Sequence, residues 1–149
     1  MRRIGFILVY IFSFLIVSCT PLEMATLVKL SIPEEVGYKA AARQVIEKRK
    51  GREIITNFSY YENLSLVKKF LRNEGGYEIP LGERQKAFIV VIESNPLFEK
   101  VKIFIIEPKR IRVWAGSVST TGIIKEDPEF TSSLAKELAY FSKKHFSEK

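Results

Sequence analysis

Residues 87–92 read Ala-Phe-Ile-Val-Val-Ile, six apolar residues in succession. The run has the length of a strand, and a continuous apolar run marks a central strand covered on both faces. Such a strand needs a sheet around it, and the following residues provide one. Ser94-Asn-Pro96 turns the chain, and Val101 to Ile106 form another apolar strand. Pro108 and Lys109 stand where a tight hairpin places its turn. Arg110-Ile-Arg-Val-Trp-Ala115 then alternates. Ile111 and Val113 fall on one face, with Arg110, Arg112 and Trp114 on the other. The two strands are expected to form an antiparallel hairpin.

The remaining elements follow from periodicity and end signals. Thr26 to Ile32 is a strand candidate rich in aliphatic residues. Ser31-Ile-Pro-Glu34 has the spacing of a capping box, and good helix formers continue to Lys50, with Gly51 placed to end the helix. Gly37 keeps an extended arm over residues 33–43 open as the alternative. Arg52 to Tyr60 predicts a strand. Asn63 is placed to cap a second helix that Gly75-Gly76 stops, and residues 78–83, with Pro80 and Gly82, predict a loop. Residues 116–124 extend the strand before them, bend it, or form a loop. Asp127 caps a final helix with Pro128 at its first position. Phe130, Leu134, Leu138, Phe141 and His145 form one stripe on it. The expected fold is α/β (α+β): a two-layer sandwich with a mixed or mostly antiparallel sheet of about five strands and helices packed on it.

The N-terminus reads differently. Met1-Arg2-Arg3 precedes a run from Ile4 to Ser18 without a charge. A basic start and a short apolar stretch match a secretory signal, and the run falls short of the roughly twenty residues that a spanning helix needs. It ends Ile16-Val-Ser-Cys19, and Cys19 is the only cysteine in the chain. This stretch resembles the lipobox of bacterial lipoproteins: an aliphatic residue, a tolerant position, a small residue, then cysteine. The common family form has leucine where Ile16 stands. The resemblance implies cleavage before Cys19, a diacylglycerol on its thiol, and usually a further acyl chain on the new amino group. Each buried methylene adds about 0.8 kcal/mol, so two or three chains anchor stably where one does not. The implied organisation is a signal peptide over residues 1–18, a lipidated tether over 19–25, and one α/β domain over 26–149. Thr20 rather than aspartate after the cysteine implies the periplasmic face of the outer membrane over the inner membrane.

The stretch Phe104 to Ser119, followed by a helix, also resembles a closing segment of small α/β envelope lipoproteins. There, a strand, a turn and a strand ending near Val-Trp-x-Gly precede an amphipathic helix. Val113, Trp114 and Gly116 carry the likeness, and Glu107 stands where that group has aspartate. The likeness implies an envelope domain without known catalytic residues, in which Trp114 packs.

The residues offer little chemistry. His145 is the only histidine and sits near the end of the last helix. A triad base needs an orienting acid in a rigid enclosure. A zinc site needs three or four ligands of suitable type. The pairs Glu34-Glu35 and Glu126-Asp127 with Glu129 sit at predicted helix starts, where acids suit the dipole. No glycine pattern builds a phosphate loop. Two basic clusters remain, Lys48-Arg49-Lys50 with Arg52, and Lys109-Arg110 with Arg112. They can be solvated faces, or can touch anionic head groups or glycan. Losing Arg2 and Arg3 with the signal lowers the formal charge from +7 to +5, which still suits anionic partners.

The expected function is therefore a non-enzymatic envelope lipoprotein, without cofactor or metal. It is expected to be held by acyl chains on Cys19, and to bind or support an envelope protein or cell-wall component. No nucleic-acid partner is expected. A glycan-binding or glycan-modifying accessory, or a subunit of a transport or secretion complex, are the alternatives.

Overall fold

A computed structural model describes residues 34–72 and 74–147. The strand candidate at 26–32, the capping box at Ser31, the signal, the tether and Cys19 lie outside the described residues. In chain order the elements are α1 (Glu34–Glu47), β1 (Arg52–Ile55), α2 (Tyr60–Phe70), β2 (Tyr77–Gly82), β3 (Gln85–Ser94), β4 (Phe98–Glu107), β5 (Arg110–Ser119), β6 (Ile124–Glu126) and α3 (Pro128–Ser147). The strands form one sheet in the order β1-β5-β4-β3-β2, with β6 also paired to β5. Every pairing is antiparallel. The fold is an α/β sandwich, and but for Glu34 the described residues belong to one compact unit, Glu35–Lys149.

Successive strand residues point to opposite faces, and both faces are buried. Phe104, Ile106, Ile111 and Val113 pack beneath α2 and α3 with Leu66, Val67, Leu134 and Leu138. Ile103, Ile105, Ala87, Ile89 and Trp114 pack beneath α1 with Tyr38, Ala41, Ala42 and Val45. Residues 87–90 of the apolar run are thus covered on both sides, with α1 opposite α2 and α3, whereas Ile92, at the register shift between Val91 and Glu93, is 50 % exposed. Each fully buried aliphatic side chain contributes about 1.5–3 kcal/mol, so two apolar layers compensate for a sheet without disulfides.

Several boundaries differ from the sequence reading. Residues 34–47 are helical, so the extended arm over 33–43 is not formed. The strand expected to reach Tyr60 ends at Ile55, because Asn57 turns left-handed (φ 61°) and Ser59 opens α2. Ser59, not Asn63, caps that helix. Its hydroxyl accepts from the Glu62 N–H while the Glu62 carboxylate accepts from the Ser59 N–H, the reciprocal capping box. The helix ends at Phe70, with Leu71 as its C-cap, before Gly75-Gly76 is reached. The loop expected at 78–83 is instead mostly the outer strand β2. Pro80 is tolerated there because an edge strand does not need every ladder donor. The segment after Ala115 first continues β5 to Ser119, then turns into β6. Asp127 caps α3 as expected, its carboxylate accepting from Phe130 N–H at 3.1 Å.

Gly116 lies where β6 crosses β5. A Cβ there would run into the carbonyl of Lys125 and come within 2.9 Å of the Trp114 ring. Close approach, rather than flexibility, requires glycine at the Val-Trp-x-Gly position.

Candidate functional site

The β1–β5 ladder brings together the two basic clusters that the sequence keeps sixty residues apart. Its register sets Arg52 against Val113, Glu53 against Arg112, and Ile55 against Arg110. At the start of β1, Arg112 Nη1 donates to the Lys50 carbonyl at 3.0 Å. At its end, Thr56 N–H donates to the Lys109 carbonyl at 3.1 Å, and Lys109 N–H donates to the Phe58 carbonyl at 2.7 Å. β1 is a four-residue strand at the rim of the sheet, about 13 Å long at ~3.3 Å per residue. Lys48, Arg49 and Lys50 therefore precede this rim, and Lys109 closes it.

The rim is unevenly neutralised. Glu53 serves Arg112 at 3.1 Å and Arg110 at 3.9 Å, and Glu107 serves Arg110 at 2.6 Å. Glu126 accepts from the Gly51 N–H at 2.7 Å. Among the described residues, Lys48, Arg49, Lys50, Arg52 and Lys109 have no carboxylate in salt-bridge range, and all five are exposed. Seven cations stand on this rim against Glu47, Glu53, Glu107 and Glu126. Ile55, 63 % exposed, sits among them.

Backbone strain concentrates at the same place. Among the described residues, the non-glycine positions with positive φ are Arg49 (50°), Asn57 (61°) and Lys109 (67°). Arg49 closes α1. Its N–H donates to the Ile46 carbonyl, and the Lys50 N–H donates to the Val45 carbonyl. This is the Schellman pattern, whose left-handed position is normally glycine. Lys109 occupies the left-handed position of the hairpin turn, where glycine or asparagine is favoured. A left-handed residue with a Cβ costs roughly 1–2 kcal/mol, so the chain carries a basic side chain at two positions where glycine is the usual residue.

Comparisons with known protein families, curated proteins and solved structures return no match. The residues themselves must therefore carry any functional reading.

Elsewhere the candidate groups have structural partners. His145 stacks on Phe141 at 6.3 Å with rings 7° apart, one helical turn away. Trp114 is fully buried under α1, and its indole N–H has no hydrogen-bond partner among the described residues. It packs rather than offering a platform. Glu99 is the one buried carboxylate among the described residues, and Tyr38 Oη donates to it at 2.5 Å, tying α1 to β4. Nothing in the sequence distinguished Glu99 from the surface acids, because its burial depends on where α1 lands. Buried Asn63 donates to the Glu107 carbonyl at 2.8 Å and accepts from Thr56 Oγ1 at 2.7 Å, which fixes the hairpin end against α2. From β3, the Lys86 ammonium donates to Glu78 on β2 at 2.5 Å. That hydrogen bond holds the Glu78 carboxyl below its ordinary value and raises Lys86.

Among the described residues, no three histidine, cysteine or acidic side chains cluster to hold a metal. An open depression on α2 is lined by Tyr61, Leu64, Ser65, Lys68 and Lys69, all exposed but Leu64. No helix among the described residues is long and apolar enough to cross a membrane.

Proposed function

We propose that this chain is a non-enzymatic lipoprotein of the bacterial cell envelope, anchored through acyl chains on Cys19. Its domain faces the periplasm from the outer membrane and binds or supports another envelope component. The observation that carries the reading is the N-terminal order: Arg2-Arg3, an uncharged run to Ser18, and Ile16-Val-Ser-Cys19. Each part has a physical role in export and anchoring. The two basic clusters meet on an exposed rim of the sheet rather than in a cleft, which suits contact with an extended partner.

The test is the intact mass of protein extracted from membranes, for the wild type and Cys19→Ser. The expected result is a chain beginning at residue 19 with added acyl mass, absent in the variant. An unacylated chain that retains residues 1–18 would overturn the reading.

A further inference from the structure

We propose that the β1 rim is a docking surface for an anionic phospholipid bilayer, with Arg49 and Lys109 kept at left-handed positions for that contact. The choice of a lipid surface rests on the anchoring reading above.

Two independent observations lead here. The first is charge. The β1–β5 register assembles Lys48, Arg49, Lys50 and Arg52 with Lys109, Arg110 and Arg112. Five of the seven have no ion pair among the described residues. The second is backbone. Arg49 ends α1 at the Schellman position, and Lys109 occupies the left-handed turn position of the β4–β5 hairpin. Glycine fits both conformations without a Cβ penalty. Nothing within the described fold uses either side chain, since neither forms a side-chain hydrogen bond or an ion pair there. The strain is explained if the cations act on something outside the chain.

The chemistry of the rim selects the occupant. Residues 48–57 and 107–112 contain no aromatic side chain, so the stacking surface that single-stranded nucleic acid needs is missing from the rim. Exposed Ile55 lies directly opposite Arg110. Cations around an exposed aliphatic side chain suit a charged head-group layer with hydrocarbon beneath it. Attraction to anionic lipid is worth about a fivefold gain in partitioning per Lys or Arg near the surface.

The experiment uses the full chain carrying Cys19→Ser, so that no acyl chain contributes. Binding is measured by sedimentation with vesicles of phosphatidylglycerol and phosphatidylcholine in equal parts, and with vesicles of phosphatidylcholine alone. Residues 1–18 are common to every variant, so their contribution cancels in comparisons between variants on the same vesicles. The expected result is preferential binding to the anionic vesicles that weakens as salt rises. Arg49→Gly and Lys109→Gly together should reduce it about 25-fold, while the melting temperature stays level or rises by about 3 °C. Unchanged vesicle binding in the double variant would overturn the proposal. So would a fall in melting temperature, because the two side chains would then be holding the fold. A soluble polyanion that captures the wild type while anionic vesicles do not would move the partner from lipid to polymer and overturn the membrane assignment. Because the assay runs without lipidation, failure here and failure of the Cys19 mass test are separate results.

Discussion

The hydroxyl of Thr131 faces the backbone of Ala115, accepting from its N–H and donating to its carbonyl, each at 3.0 Å. Ala115 sits where β5 has lost β1, which pairs no further than Val113, and just before its pairing with β6 starts at Gly116 opposite Glu126; its carbonyl also accepts from the Asp127 N–H at 2.9 Å. The helix α3 thus fills a gap in the ladder with one side chain. Thr131→Val keeps the shape and leaves a buried N–H unmatched, at a cost of about 1–3 kcal/mol. Thr131→Ser should retain most of the stability. Urea unfolding of the two variants checks this, and little loss in Thr131→Val with a larger one in Thr131→Ser would mean that the methyl group, not the hydroxyl, matters.

Trp114 gives a contrast between volume and polarity. Its ring is fully buried, but its indole N–H is unmatched among the described residues. Trp114→Ala should cost about 3–5 kcal/mol through cavity formation. Trp114→Phe loses less volume and removes the stranded donor, so its cost should be about 1 kcal/mol or less. Comparable losses for both would indicate that the N–H has a partner after all.

Two polar residues, Ser59 just before the start of α2 and Asn63 within its first turn, act through different physics. Ser59→Ala removes half of the capping box and should cost about 1 kcal/mol, largely restored by Ser59→Asp. Asn63→Ala strands the buried Glu107 carbonyl and Thr56 hydroxyl, and should cost about 2 kcal/mol. Thermal unfolding distinguishes them, because aspartate can replace the cap but not the buried amide.

The Glu78–Lys86 pair predicts a window of pH. The Lys86 hydrogen bond lowers the Glu78 carboxyl from 4.5, so its contribution is complete above pH 4.5 and fades as pH falls through the lower folded value. Lys86 is raised from 10.5 by the same bond, so its share is complete below pH 10.5 and fades as pH rises through the higher folded value. The pair is partly exposed, and solvent screening keeps its worth to about 1 kcal/mol at most. Glu78→Gln should flatten stability at both ends of the window. A wild-type acid slope that persists in the variant would assign the effect to another carboxylate.

Much of the sheet could be read from the chain, because its signals are local. The apolar run at 87–92 predicted cover on both faces, which residues 87–90 have and Ile92 lacks, and the alternation from Arg110 to Ala115 placed Trp114 opposite Ile111 and Val113, as found. Failures arose where a neighbour in space decides. Pro80 reads as a loop residue until it is known to lie on a rim strand. Asn63 reads as a cap until Ser59 and Glu62 close on each other. Arg52 to Tyr60 reads as one strand, but left-handed Asn57 divides it. For the candidate site, each basic cluster was visible in the sequence, whereas their union required the β1–β5 register. The left-handed geometry of Arg49 and Lys109 gave no warning, because the expected glycine is absent from both positions.

At the opposite rim, Pro80 removes an N–H from β2, and the β2–β3 register shifts between Pro80 and Gly82. A strand with a missing donor and a step in its spacing is a poor template for another copy. Molecules confined to a plane meet each other far more often than molecules free in three dimensions. For a chain anchored as proposed above, crowding along that rim should therefore produce encounters without fibres.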